Sequence, residues 1–71
     1  MHYTVVIEEG PASFGAYVPD LPGCVAAAET RGEVVRLIHE AIEFHIEALR
    51  EDGKPVPEPH STAEQIEIAV A

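Results

Sequence analysis

Side chains able to do chemistry are few in this chain. One cysteine, Cys24, and four histidines, His2, His39, His45 and His60, are spread along 71 residues. Nucleophilic catalysis needs a thiol or hydroxyl within reach of a base, and no spacing here demands such a pair. Cys24 opens the apolar run CVAAA and reads as a small buried hydrophobe. The histidines lack the i,i+4 or Cys-x-x-Cys spacings that seat a metal. His45 falls inside the apolar stripe of a helix and reads as a core-edge residue, while His39 lies about 120° away on the polar side. Metal-dependent nuclease chemistry needs several converging carboxylates, and the strands offer only Glu8 and Glu67. Gly10 and Gly15 match no phosphate-binding loop. No catalytic residue, metal or cofactor is assigned, and the chain is expected not to be an enzyme.

What remains is recognition. The stretch VPDLPGC packs two prolines, a glycine and an acid into one corner. Asp20 is held by the prolines around it. It is expected either to cap the turn onto the backbone near Pro22 and Gly23 or to present its carboxylate outward. Any partner contact at this corner is expected through Asp20 and Leu21, flanked by Pro22 and Gly23. A second candidate surface is the ladder Glu40, Glu43, Glu47 and Glu51 at helical spacing, which suits a basic partner.

These groups must be placed by a few elements. His2 to Glu8 alternates as a strand, with Tyr3, Val5 and Ile7 on one face. Glu9-Gly10-Pro11 breaks it, and Ser13 to Val18 resumes, making an antiparallel hairpin with a loop of about four residues. Cys24 to Ala28 forms a third strand. Thr30-Arg31-Gly32-Glu33 matches a capping box and starts a helix that runs to Glu51 or Asp52, closed by Gly53 and Pro55. Val34, Val35, Leu37, Ile38, Ala41, Ile42, His45, Ile46, Ala48 and Leu49 share one half of that helix. Lys54 to Ala63 alternates prolines and reads as an extended connector. Gln65 to Val70 alternates again, with Ile66, Ile68 and Val70 on one face, and is expected to be a last strand near a sheet edge. The expected fold is a two-layer α+β domain of order β-β-β-α-β spanning residues 1–71.

The totals narrow the function classes. Thirteen acids against four bases give a net charge of −9. That argues against direct nucleic-acid binding, which needs clustered Lys and Arg, and disfavours an anionic membrane. It favours a basic protein partner. A single cysteine, no signal sequence and no apolar run near ~20 residues point to a cytoplasmic protein. Apolar residues on both faces of the first strand, with one helix to cover one of them, predict a homodimer or larger assembly.

One resemblance spans nearly the whole chain. The run Tyr3-x-Val5-x-Ile7-Glu8, then Gly15-Ala16-Tyr17-Val18-Pro19-Asp20-Leu21-Pro22-Gly23-Cys24, resembles the HicB-type antitoxin family. So do Thr30, Glu40-Ala41-Ile42-Glu43-x-His45-Ile46 and Glu51-Asp52-Gly53-x-x-Val56-Pro57. The resemblance implies a partial ribonuclease H-like fold without that enzyme's catalytic acids. It also implies a small basic HicA-type partner, an mRNA-cleaving toxin whose active site the antitoxin masks. Members of that family often carry a C-terminal ribbon-helix-helix or helix-turn-helix domain that binds operator DNA. This chain ends at Ala71, so operator binding is not expected. The alternative function is a solitary homo-oligomeric structural or ligand-binding domain with no toxin.

Overall fold

The computed structural model describes residues 1–70. Three strands, β1 (Val6–Glu9), β2 (Phe14–Tyr17) and β3 (Val25–Ala28), precede one long helix, α1 (Arg31–Glu51). The sheet order is β1-β2-β3, antiparallel throughout. This is the α+β arrangement of three antiparallel strands and one long helix that the alternation and the helical stripe predict.

Register follows from which side chains must be dry. Phe14, Ala16 and Val18 point one way from β2, and Ala16 and Val18 are buried. Cross-strand pairing puts Ile7, Ala16 and Ala26 in one row, and Phe14 opposite Ala28. The small alanines of β3 let α1 approach closely. Successive residues face opposite sides, so Val6, Tyr17 and Val25 form a row on the outer face. The ladder starts at Val6 rather than near His2 because β2 ends its run at Val18. There the backbone N–H turns to the carbonyl of Cys24 at 3.2 Å.

Both ends of α1 close where the sequence predicts, the first by the Thr30 half of the capping box and without the return bond from the Glu33 carboxylate. Thr30 Oγ1 accepts from the Glu33 N–H at 3.2 Å, with Thr30 itself extended at φ −125°. At the other end, Gly53 takes φ +69°. The N–H of Gly53 donates to the Arg50 carbonyl and that of Lys54 to Leu49, at 3.1 and 2.9 Å, which is a Schellman closure. A residue with a Cβ at position 53 would strain this turn.

The core is Ala16, Val18, Leu21, Cys24, Val34 and Ile38, with Leu21 and Val34 fully enclosed. α1 packs over β3 and β2 and not over β1. The helix stripe is therefore wider than the strands beneath it. No helix among the described residues is long and apolar enough to cross a membrane.

One expected element departs from its reading. Gln65 to Val70 is not a strand here: the segment is extended but pairs with nothing. Ile66, Ile68 and Val70 are 74%, 71% and 88% exposed. A strand exists only through its ladder, and no edge lies alongside this segment in a single copy.

Candidate functional site

The corner is two consecutive β-turns. Leu21 N–H donates to the Val18 carbonyl and Cys24 N–H to Leu21, both at 3.1 Å. Pro19 and Pro22 each occupy the second position of a turn, where their fixed φ is pre-set. Gly23 adopts φ +85°, which the second turn requires at its third position. Cys24 then enters the core, where burial raises its thiol pKa. Such a thiol is a poor nucleophile.

Asp20 corrects its sequence reading. It neither caps its own turn nor faces solvent: it is 4% exposed and grips a segment forty residues away. Oδ2 accepts from the backbone N–H of His60 and of Ser61, both at 2.9 Å, and Oδ1 accepts from Ser61 Oγ at 2.6 Å. His60 Nε2 lies 3.2 Å from Oδ1, and its Nδ1 lies 3.1 Å from the Glu58 carbonyl. The Ser61 hydroxyl, followed by the backbone donors, holds the Asp20 carboxyl down to about 2. Two more bonds fasten the same segment. Thr4 Oγ1 donates to the Ser61 carbonyl at 2.8 Å and Tyr3 OH to Pro57 at 2.5 Å. Desolvation, then nearby Glu58 and Asp20, raise the Tyr3 phenol.

Serine, histidine and aspartate thus meet in space, but in an order that does not catalyse. A hydrolytic triad puts the imidazole between hydroxyl and carboxylate, so that the ring takes the serine proton. Here the carboxylate stands in the middle, and Ser61 donates directly to it. A carboxylate held near 2 is too weak a base to deprotonate a hydroxyl. The cluster is a clasp joining the corner to the C-terminal segment.

Leu21 is also corrected as a contact residue. It is fully buried, because it plugs the core beneath the corner. A partner reaching this corner meets Pro22 and Gly23, which are exposed. Glu40, Glu43 and Glu47 lie open on the polar side of α1. Arg36 pairs with Glu40 at 3.2 Å and His39 approaches Glu43 at 3.6 Å, all well exposed. Such pairs contribute little to stability. Glu43, Ile46, Glu47 and Arg50 line a shallow hollow of about 400 Å³.

Sequence reading passed over Phe44. Its ring stands 76% exposed at the border of the acidic side of α1, next to Leu37 and Ala48 around the helix. At 100° per residue, Glu40, Glu47 and Glu51 all fall within about 60° of it. A large aromatic placed on the polar half of a helical wheel was the available signal, since nothing in the fold uses it. A second exposed row, Tyr17 at 41% and Val25 at 65% beside Val6, lies on the outer sheet face.

The model of the HicB-like antitoxin of bacterial toxin–antitoxin systems matches residues 3–69. The chain belongs to the HicB-like antitoxin family. Among solved structures, the HicA3 and HicB3 toxin–antitoxin complex contains a similar chain. The similarity has a TM-score of 0.72 at 35% identity, covering 84% of this HicB-like chain and 70% of that one. A 14.9 kDa protein from the rep-hol intergenic region of Haemophilus phage HP1 is 36% identical over 66 residues. The chain spans about half the length of that phage relative, 50%, and 93% of its own. A UPF0150 protein of Helicobacter pylori is 36% identical over 72 residues and is covered in full, 100%. Another, from Synechocystis, is 36% identical over 70 residues, with 97% of this chain and 89% of the relative covered.

Proposed function

We propose that this HicB-like domain is an antitoxin module that binds a small basic HicA-type toxin and masks its RNA-cleaving site. The observation that carries the reading is Phe44, exposed at the edge of the helix face that carries Glu40, Glu43, Glu47 and Glu51. An aromatic anchor flanked by charge is the composition of a recognition hot spot. The carboxylates supply what a basic partner lacks, and the net charge of −9 steers encounter.

Masking has a simple physical route. An enzyme that cleaves RNA holds phosphates with cationic side chains. A row of glutamates at i,i+3 and i,i+4 spacing offers carboxylates to those same cations. Occupying them removes the phosphate site without any chemistry by the antitoxin. The hollow beside this row offers the carboxylates of Glu43 and Glu47 next to the aliphatic surface of Ile46, with Arg50 at its rim.

Co-expression with a HicA-type toxin encoded beside its gene tests the reading. Growth should be restored and a complex should co-purify. Folded protein accumulating while the toxin still arrests growth would refute it. The second reading, a solitary homo-oligomeric domain, is favoured by the exposed apolar tail and by the Val6, Tyr17, Val25 row. The same experiment separates the two.

A further inference from the structure

The tail beyond the clasp and the groove beside β1 fit each other. Ile66, Ile68 and Val70 alternate along a segment with no backbone partner and stand 74%, 71% and 88% exposed. Three β-branched residues at period two are the pattern of a half-buried strand. The root of this arm is fixed, because Asp20 and Thr4 fasten His60 and Ser61 beside the start of β1. The molecule measures 53 Å along its longest axis, whereas a 21-residue helix spans only about 32 Å. The arm reaches outward and does not fold back.

The groove is the complementary feature. β1 is an edge strand whose outer side pairs with nothing, and α1 does not pack over it. Between them lies an apolar groove of about 470 Å³. Tyr3, Val5 and Ile7 form one wall, and Ile38, Ile42 and Ile46 the other. A fourth strand beside β1, with alternate side chains turned toward the helix, would close it.

We propose that two copies exchange arms: Gln65 to Val70 of each adds as a strand to the β1 edge of the other. Ile66, Ile68 and Val70 then enter the groove, while Gln65 and Glu67 face solvent. The exchange is reciprocal, so one association event seats two arms and closes a two-fold dimer. The tail's six residues match the four of β1 with little overhang.

The dimer does not rest on the toxin reading, although Glu43 and Ile46 line both the groove and the neighbouring hollow, and salt tells the two apart. Two chains of charge −9 repel, so exchange should tighten as salt screens them, whereas docking to a basic partner should weaken. Sedimentation velocity at about 20 µM, well above the micromolar range of modest interfaces, should give a dimer that an Ile66→Asp/Ile68→Asp double variant converts to a folded monomer. A wild-type monomer in high salt overturns the proposal. So does a dimer that the double variant leaves intact. Mixing an Ile68→Cys chain with a Val5→Cys chain under oxidation should give a disulfide-linked heterodimer. A chain carrying both substitutions that instead closes only on itself would show the arm in its own groove and defeat the exchange.

Discussion

Replacing Phe44 by alanine separates recognition from folding. The ring is 76% exposed in the free chain and supports no core contact, so the melting temperature should move by no more than a degree or two. In the proposed complex the ring would be an anchor. A phenylalanine buries at least ~150 Å² when enclosed, so closing the open three-quarters removes roughly 110 Å² from water. At ~25 cal/mol per Å² this is about 3 kcal/mol, of which the alanine methyl retains a part. The expected loss of affinity is therefore about 2 to 3 kcal/mol, or roughly 30- to 150-fold in Kd. Titration calorimetry of wild-type and Phe44→Ala protein against the same HicA-type toxin reads this directly, with thermal melts as the folding control. Unchanged affinity at unchanged stability would refute the placement of the docking face on α1. A large drop in melting temperature would refute the claim that Phe44 is idle in the free fold.

Three other outcomes follow from the core and the clasp. Leu21→Ala opens a cavity beneath the corner at a residue with no exposure. It should cost about 3 to 5 kcal/mol, enough to leave a domain of this size largely unfolded at 37 °C by circular dichroism. Asp20→Asn should free the segment beyond Pro57, seen as faster amide exchange at His60 and Ser61 while the amides of α1 keep their protection. The Asp20 carboxyl is lowered in the fold to about 2 from 3.8, so its contribution is complete above the unfolded value and is lost as pH falls from 3.8 toward 2. The variant should lack that part of the acid dependence. Cys24, buried with its thiol raised, should resist alkylation at pH 8 until denaturant is added.

Local signals carried most of the architecture. The Thr30 cap, the Gly53 closure, the apolar stripe of α1 and the proline-fixed corner are each written within a few neighbouring residues, and each is found where the sequence puts it. The departures have one cause in common, namely partners far away in the chain. Asp20 reads locally as a turn residue, yet its hydrogen-bond donors are forty residues downstream at His60 and Ser61. Leu21 reads as the tip of an exposed corner, but the double turn folds it inward onto Val34 and Ile38. Ile66, Ile68 and Val70 carry a correct strand pattern whose ladder needs an edge that one chain does not bring to it. Phe44 was legible on the helical wheel. Its charged neighbours give that side of the helix the pattern of a solvated surface, where an aromatic has no folding role.

The central claim is that this acidic domain silences a basic RNA-cleaving enzyme by occupying it. Its most direct test is to titrate the protein into a fixed concentration of HicA-type toxin and follow cleavage of a labelled RNA. Cleavage should fall linearly to zero at one domain per toxin, and the inhibition should weaken with rising salt. Undiminished cleavage at a several-fold excess of folded protein would contradict the account.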